Sequence, residues 1–491
     1  MDGDTGFQVV GRGLAEMLVW PNVRRIWTAL VVAGVLLASA FFGLRASTRW
    51  LMLMGVGVAG VVLVCNLRLG LFGLILAALL VPLEISTGTE VSLNAVTLLT
   101  PALFALWFID GLRRNKLSWI TSRVNRPLIL FLLAALLSLL LGNALWDPAV
   151  PKSSNFWLVQ LAQWYIFVVA AVALWLMAHL IRDRIGLERF VQFYLVVAGV
   201  LAMLYVIPGV GARIKPFTTG ALGRSPFWLL LSAVAGGQLV FNRQLSSRWR
   251  FFLVGILIAV LFYAFYWERN TVSTWGAILI AMGILAWLRW PRLRWVAILL
   301  FVIALVSGLL FSFVYEFAGG DEEWESSGGS RLTLIGRVIE VTMRNPITGL
   351  GPASYRPYVG ARPLQYGYAL WVAPKINSHN NYVDLFAQTG LLGLGLFLWI
   401  AVELGLLGWR LHLRYREGFV GGYVHAMFAT WIGSLVLMAL ADWILPFVYN
   451  IGFPGFQASL LVWLFLGGIT SLGAVDLTSG HIPAPGGVET R

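Results

Sequence analysis

Residues 377–398 read NSHNNYVDLFAQTGLLGLGLFL, a cluster of hydrogen-bonding side chains that runs directly into a glycine-spaced apolar segment. An apolar run of about 20 residues is typical of a helix that crosses a bilayer. Such runs recur along nearly the whole chain of 491 residues, of which 59% are hydrophobic and 12% charged. This composition excludes an ordinary soluble domain. The sequence therefore predicts an all-α polytopic membrane protein, in which the bilayer replaces most of a water-excluding core.

Fourteen apolar runs have the length of a membrane span. They cover residues 26–44, 50–67, 69–84, 94–112, 127–146, 157–180, 190–207, 227–241, 251–266, 272–288, 295–317, 385–408, 420–441 and 452–471. Five loops on one side each carry three or more Lys or Arg, namely RRNKLSWITSRVNR, IRDRIGLER, NRQLSSRWR, RWPRLR and RLHLRYREG. Because basic loops stay in the cytoplasm, both termini are predicted to be cytoplasmic.

This topology divides the chain into three parts. Residues 1–317 hold spans 1–11, residues 318–384 form one large extracytoplasmic loop, and residues 385–491 hold spans 12–14 and a cytoplasmic tail. The single cysteine, Cys65, lies in an apolar run, which excludes an intramolecular disulfide. Chemistry is therefore expected on the extracytoplasmic face, where the longest segment outside the membrane lies.

Basic residues also occur on the side where the positive-inside rule does not require them. The net charge of +13 would suggest nucleic acid in a soluble chain, but here much of it sets the topology, so no nucleic acid partner is predicted. The extracytoplasmic set is Arg213, Lys215, Arg224, Arg269, Arg331, Arg337, Arg344, Arg356, Arg362 and Lys375. Guanidinium groups match phosphate geometry, so this set indicates an anionic partner. The alternative is that the residues neutralise lipid head groups or the acidic run DEEWE at residues 321–325.

Residues 330–344, SRLTLIGRVIEVTMR, have the spacing of a helix that ends before Pro346. On a helical wheel the apolar face comprises Leu332, Ile335, Val338, Ile339 and Thr342. Arg331 falls near the centre of this face, whereas Arg337 and Arg344 fall on the polar side. An arginine directed into the protein needs a partner, and a phosphate group would serve. The alternative is that the first turn frays and lets Arg331 reach water.

The stretch after this helix, NPITGLGPASYRPYV, predicts a tight turn beside an aromatic surface. The aromatic residues of the loop are Tyr355, Tyr358, Tyr366, Tyr368 and Trp371. They could stack on sugar rings, or they could form the aromatic belt of a loop that faces the membrane.

The polar cluster at the start of the twelfth predicted span contains an unexpected histidine. Asn377, Ser378 and Asn380 are residues that cap a helix, and Asp384 would lie in its first turn. His379 is not needed for capping. A helix N-terminus disfavours imidazolium, so a neutral His379 could act as a general base towards a sugar hydroxyl. The alternative is a structural histidine whose ring is satisfied by loop carbonyls.

The order of these motifs resembles the O-antigen ligase and O-antigen polymerase superfamily. SRLTLIGRVIEVTMRNPITGLGPASY followed by NSHNNYVDLFAQTGLLGLGLFL is similar to the family pattern of an arginine-led helix, a Pro-x-x-Gly-x-Gly turn, then His-Asn-x-Tyr and a Gly-x-x-Gly helix. This part of the resemblance covers residues 330–400. The many spans with one large, late extracytoplasmic loop agree with the family over most of the chain.

The resemblance implies a GT-C-like membrane glycosyltransferase in the bacterial inner membrane that serves lipopolysaccharide or polysaccharide biosynthesis. It would transfer a glycan from a polyprenyl-diphosphate-linked donor to an acceptor hydroxyl on the extracytoplasmic face, with no metal or other cofactor. His379 matches the family's base, and Arg331 matches the arginine that contacts the diphosphate. A second arginine is expected at a Ser-Arg-Gly motif, where this chain has Thr274, with Arg269 a few residues earlier. Arg269 and Arg337 are the further predicted diphosphate contacts.

Other substrate contacts are predicted at Arg213, Lys215, Arg224, Tyr355, Asn380 and Tyr382. The acceptor stays open: a glycolipid would make the protein a ligase, a growing glycan a polymerase, and a protein side chain an oligosaccharyltransferase. A transporter or flippase of lipid-linked glycans is a rival prediction, since Glu403 and His425 are ionisable residues within predicted spans. Such transporters usually contain repeated halves, and the sequence has no convincing repeat. A scaffold for a polysaccharide complex would leave His379 and the extracytoplasmic arginines unexplained.

Overall fold

The computed structural model describes residues 66–115, 118–317, 329–361, 364–366, 369–371 and 377–479. The predicted span at 26–44, residues 50–65 of the next predicted span, the acidic run at 321–325, and Arg362, Tyr368 and Lys375 lie outside these residues. From Leu67 onward the described chain forms one compact unit.

The chain is mostly α-helical. Its helices are α1 (Leu67–Leu80), α2 (Ala95–Arg113), α3 (Asn125–Ala144), α4 (Phe156–Leu180), α5 (Arg184–Val206), α6 (Val210–Ile214), α7 (Ser225–Phe241), α8 (Ser247–Phe262), α9 (Val272–Arg289), α10 (Arg294–Val306), α11 (Leu309–Phe317), α12 (Gly329–Thr342), α13 (Tyr355–Gly360), α14 (Asn381–Arg414), α15 (Gly418–Leu440) and α16 (Gly452–Ser479). Two short antiparallel ribbons lie in the loops: β1 (Glu84–Ser86) with β2 (Ser92–Asn94), and β3 (Leu364–Tyr366) with β4 (Ala369–Trp371).

Within the described residues, nine helices are long and apolar enough to cross a membrane. Three shorter apolar helices, α1, α7 and α10, add to them. These helices confirm the prediction of an all-α polytopic membrane protein. The total of fourteen spans and the GT-C-like architecture stay predictions. One predicted span is divided, because residues 295–317 form α10 and α11 on either side of Gly308, whose φ is +74°.

The centre of the bundle consists of α4, α7, α15 and α16. The apolar window of α16 is 94% buried, and those of α4 and α15 are 72% and 67% buried. These helices are hydrophobic all round, as expected of helices enclosed by protein on most sides. By contrast, only 22% of the α2 window is buried, so most of that helix is open to the surroundings of the bundle.

A break in α14 at Gly390 joins the large loop to the membrane helices. Gly390 has φ +66° and ψ −170°, a conformation that is essentially restricted to glycine. The break frees backbone groups that the preceding turn then satisfies: Leu350 and Gly351 donate to the carbonyls of Ala387 (2.9 Å) and Gln388 (3.1 Å). In return, the amides of Leu391 and Leu392 donate to Pro346 (2.8 Å) and Ile347 (3.1 Å). The Pro-x-x-Gly-x-Gly turn is therefore locked into the helix that follows His379.

The buried face of helix α12 agrees only in part with the one that the helical wheel predicts, since Val338 and Thr342 of that face are buried. Leu334, Val338 and Val341 are buried, whereas Leu332 is 63% exposed. In a membrane protein an apolar side chain can face lipid, so apolarity alone does not identify the face that packs against protein. Arg331 is half-buried and lies close to the end of α15, where its Nη1 donates to the Leu440 carbonyl at 3.4 Å.

Candidate active site

The turn that carries His379 is held by its asparagine neighbours. His379 has φ +49°, in the left-handed region that is uncommon for residues other than glycine. Its amide donates to Asn377 Oδ1 at 3.1 Å. Asn380 caps α14 as predicted, since its Oδ1 accepts from the amides of Tyr382 (3.0 Å) and Val383 (3.2 Å). This turn fixes the point at which the imidazole leaves the backbone.

The His379 ring is half-buried beside Arg331. Burial and, to a smaller extent, the positive charge of Arg331 together lower the pKa of His379 from 6.5 to about 4. The imidazole is therefore neutral at pH 7. Among the described residues, neither ring nitrogen has a hydrogen-bond partner, so the structural alternative of a ring satisfied by loop carbonyls receives no support there. A neutral base with an unengaged nitrogen lies next to a cation.

A buried carboxyl group lies behind this turn. Asp384, 1% exposed, accepts from Ser378 Oγ and Tyr355 Oη, each at 2.7 Å from its Oδ1. Its Oδ2 is buried and has no hydrogen-bond partner among the described residues. The ring of Tyr355 stacks on Phe447 at 4.5 Å, and burial together with the nearby Asp384 raises the pKa of Tyr355. Tyr355 therefore supports the turn from inside, and its contact with substrate stays a prediction.

The cap residue Asn380 and the residue after it, Asn381, tie the turn to the end of α15 and the loop that follows. Asn380 Nδ2 donates to the Ala439 carbonyl at 2.9 Å. Asn381 Oδ1 accepts from the amides of Ile444 (3.0 Å) and Leu445 (3.2 Å), and its Nδ2 donates back to the Leu445 carbonyl at 2.9 Å. The asparagines that surround His379 thus join two membrane helices at one end of the bundle.

Tyr382, predicted as a substrate contact, also bonds to α15. Its hydroxyl donates to the Leu435 carbonyl at 2.8 Å. In the HNNY stretch, the side chains of Asn380, Asn381 and Tyr382 make hydrogen bonds to α15 or to the loop after it. The His379 imidazole makes no hydrogen bond to the described residues.

The loop after α15 contains an acid that sequence reasoning missed. Asp442 is fully buried and accepts from Asn450 Nδ2 (2.7 Å) and from the Phe447 amide (3.2 Å). Burial raises the pKa of Asp442 to about 6, although the charge of Arg224 opposes that rise. The only signal in the sequence was an acidic residue at the end of a predicted span, a position where ionisable groups are functional candidates.

Arg224 lies at the same end of the bundle. It is half-buried at the N-terminus of α7, and its guanidinium carbon lies 5.4 Å from the centre of the Trp443 ring. Trp443 in turn donates from Nε1 to Ser273 Oγ at 3.4 Å, next to Thr274, where the family motif would place an arginine. Arg331 and Arg224 therefore both lie against residues 440–443.

The remaining predicted cations lie apart from this segment or are paired. Arg269 is exposed, and its Nε donates to Asn270 Oδ1 at 3.3 Å. Arg337 Nη1 pairs with Glu340 at 2.6 Å. Arg213 and Lys215 are exposed in and just after the short helix α6. The structure brings none of the four to His379 through a described contact.

Two further loop arginines have carboxylate partners. Arg344 pairs with Asp147. The Arg356 side chain is 8% exposed and pairs with Glu90 at 3.3 Å while its guanidinium lies 3.9 Å from the centre of the Tyr449 ring. These pairings account for both charges without an external anion.

The ionisable residues that favoured a transporter have local partners. Glu403 Oε1 accepts from Trp399 Nε1 at 3.2 Å. His425 Nε2 lies 2.6 Å from His412 Nδ1, and its ring stacks on Phe241 at 3.9 Å. Neither residue contacts the turn that carries His379.

Comparison with known proteins gives one match and one negative result. Residues 256–398 match the family model Wzy_C, described as O-antigen ligase. The match ends eight residues beyond Gly390 and includes Arg331, His379 and the whole interlocked turn, whereas Arg224 and Asp442 lie outside it. A search among curated proteins finds no match. Residues 256–398 therefore match an O-antigen ligase domain, and this match supports the resemblance of the chain to the O-antigen ligase and polymerase superfamily.

Proposed function

We propose that the protein transfers a glycan from a polyprenyl diphosphate carrier to an acceptor hydroxyl at the extracytoplasmic face of the bacterial inner membrane. The O-antigen ligase domain supports a reaction of the ligase or polymerase type. One observation carries the more specific proposal: His379 is neutral, has unengaged ring nitrogens and lies beside Arg331. Glycan transfer from a diphosphate requires a base that accepts the proton of the acceptor hydroxyl and a cation that stabilises the leaving phosphate groups.

The proposed reaction is a single displacement with inversion. His379 accepts the proton of the acceptor hydroxyl as its oxygen attacks the anomeric carbon, and the bond from that carbon to the diphosphate oxygen breaks. The leaving diphosphate gains negative charge, which Arg331 stabilises more strongly than it stabilises the bound donor. Guanidinium groups thereby take the role that a metal ion has in other enzymes of phosphate esters, so the proposed reaction is metal-independent.

Donor binding would also activate the base. The charge of Arg331 contributes to the low pKa of His379 in the protein without donor. A diphosphate beside Arg331 offsets that charge, so the His379 pKa rises and the imidazole becomes a stronger base when the donor is in place. Proton abstraction is then coupled to the presence of the leaving group.

Arg224 is the better second diphosphate contact. It lies against Trp443, three residues from the carbonyl that accepts from Arg331, whereas Arg269 is exposed and turned towards Asn270. Arg224 is the less exposed of the two, which makes it the stronger partner for a buried phosphate. The second arginine of the proposed site thus comes from the start of α7 and not from the loop before α9.

The test uses the purified full-length protein with a polyprenyl-diphosphate oligosaccharide, first alone and then with a core glycolipid or a protein acceptor. Donor consumption and glycan length on a gel are compared between wild type and His379→Gln, with folding checked by thermal unfolding. A ladder without added acceptor, absent in the variant, would identify a polymerase. Donor consumption only with a glycolipid or a protein would identify a ligase or a protein transferase. No consumption by wild type in any mixture would overturn glycan transfer and favour a transporter.

A further inference from the structure

A cavity opens at the end of the bundle opposite His379. Its volume is about 570 Å³, within the range of roughly 300–1,000 Å³ that small-molecule sites occupy. Helix α15 connects the two regions, because Gly418 lines the cavity and Leu440 lies beside Arg331. At 1.5 Å per residue, this helix separates them by roughly 34 Å. The cavity is therefore independent of the candidate active site.

Three arginines line the cavity, namely Arg182, Arg184 and Arg243. The one acid among its lining residues, Glu417, pairs with Arg243 at 2.9 Å and also with Arg289 at 3.3 Å. These two arginines neutralise the negative charge of Glu417. Within the described ranges, the side chain of Arg184 makes neither a hydrogen bond nor an ion pair. The lining therefore keeps a positive charge that the protein itself does not neutralise.

The N-terminus of α15 adds amide donors to this charge. Glu417 occupies the cap position, but its side chain does not cap the helix in the described structure. The first amides of a helix point outward with a partial positive charge and bind anions when they are uncapped. Gly418, Phe419 and Val420, which begin this helix, all line the cavity. The arginines and the helix end thus favour the same kind of ligand.

Apart from Gln244, the remaining side chains that line the cavity are apolar or amphipathic. Tyr415, Phe419, Val420 and Leu472 form this part of the wall. A bare phosphate would need only the charged part, whereas a phosphate ester on a lipid backbone would use both. The loops that meet here, IRDRIGLER, NRQLSSRWR and RLHLRYREG, are among those predicted to be cytoplasmic. Basic pockets between membrane helices on that side bind anionic lipid head groups.

We propose that this cavity binds a phosphate-bearing anion, supplied by the head group of an anionic phospholipid. The phosphate lies between Arg184 and the N-terminus of α15, and the glycerol part of the lipid packs on Tyr415 and Leu472. This site belongs to the membrane-spanning scaffold, so it is occupied whether or not a glycan donor is present.

The test measures retention of short-chain phosphatidylglycerol and phosphatidylcholine by the full-length protein in native mass spectrometry, with inorganic phosphate as a parallel arm in thermal unfolding. Wild type should retain phosphatidylglycerol in preference to phosphatidylcholine. Arg184→Gln should lower its affinity by about tenfold, the value of one charge-assisted hydrogen bond. Arg248→Gln is the matched control, because Arg248 is exposed in a neighbouring predicted cytoplasmic loop but does not line the cavity.

A second variant separates the cavity from surface charge. Leu472→Trp fills the apolar wall without changing any charge and should also weaken phosphatidylglycerol binding. Stabilisation by inorganic phosphate that equals the lipid effect and is lost in Arg184→Gln would retain the phosphate site but assign it to a soluble anion. Equal lipid retention by wild type, Arg184→Gln and Leu472→Trp would overturn the proposal.

Discussion

The protonation of His379 is set by its surroundings, and this makes a pH dependence predictable. Since the free protein holds the His379 pKa at about 4, the imidazole stays neutral until the pH falls close to that value. The acid limb of kcat/KM, which reports the free enzyme, should therefore lie near pH 4 and not near 6.5. The acid limb of kcat should lie at higher pH, because bound diphosphate offsets the charge of Arg331. Both profiles can be measured with a single donor.

Removal of the Arg331 charge should shift the same titration. In Arg331→Gln the residual kcat/KM should fall at a higher pH than in wild type, since the neighbouring cation no longer disfavours imidazolium. Arg344→Gln is a suitable control, because Arg344 is paired with Asp147. An unchanged acid limb in Arg331→Gln, or an equal shift in the control, would show that the two groups do not interact as proposed.

The hydrogen bonds that Asp384 accepts predict how two substitutions of this residue change the stability of the protein. Two buried hydroxyls donate to its Oδ1. Asp384→Asn keeps an acceptor for both hydroxyls, so the thermal midpoint should stay close to that of wild type. Asp384→Ala leaves both hydroxyls without their acceptor and should lower the free energy of unfolding by about 2–4 kcal/mol. Equal destabilisation by the two variants would contradict this account.

Single residues stand out in the sequence where the reason to select them is local to a motif. His379 stands out because a cap does not need a histidine, and Arg331 because it interrupts an apolar face. The burial of Asp442 and the placement of Arg224 against Trp443 were not predictable, since both depend on how the loop after α15 folds back onto residues far away in sequence. Tyr355 was likewise predicted as a substrate contact, because the sequence cannot show that its hydroxyl donates to Asp384.

At the scale of elements, the break in α14 should be intolerant of any side chain. Gly390→Ala would put a Cβ against the Ile347 carbonyl oxygen and force alanine into a glycine conformation. The backbone strain alone costs about 1–3 kcal/mol. We expect a lower thermal midpoint and loss of transfer activity, because only the first part of α14, from Asn381 to Gly390, separates the break from the turn that carries His379.

Gly395→Ala is the matched control for that variant. Gly395 lies in the same helix, and a Cβ there would meet no described atom within 4 Å. Helix propensity favours alanine over glycine by up to about 1 kcal/mol, so this variant should be neutral or slightly more stable. Comparable losses in both variants would mean that α14 tolerates no change for reasons unrelated to the break.

Element boundaries were predictable from apolar runs, but their contacts were not. The predicted turn at PITGLG and the helix at GLLG were read as separate motifs, although each supplies the hydrogen bonds that the other lacks. Helix α12 shows the same limit, because Leu332 is exposed although it belongs to the apolar face of the wheel. In a bilayer, burial in protein and contact with lipid select the same residue types.

For the whole molecule, the orientation in the membrane can be tested with single cysteines. Cys65 is the only cysteine, so Cys65→Ala gives a background without thiols. Phe217, 74% exposed, lies in a predicted extracytoplasmic loop, and the exposed Arg248 lies in a predicted cytoplasmic one. A membrane-impermeant maleimide should label Phe217→Cys in intact spheroplasts and Arg248→Cys only after lysis. The reverse pattern would place His379 in the cytoplasm and exclude the proposed reaction there.

The hydrogen bonds between residues 346–351 and the broken helix also bear on how such proteins can recombine. A natural or engineered exchange of the large loop alone would separate the turn from the break that it completes, and leave unpaired amides and carbonyls at the end of a membrane helix. An exchange that runs from before Arg331 to beyond Leu392 would transfer both partners together. The smallest unit that keeps these hydrogen bonds together is therefore the loop with the first third of α14, and not the loop by itself.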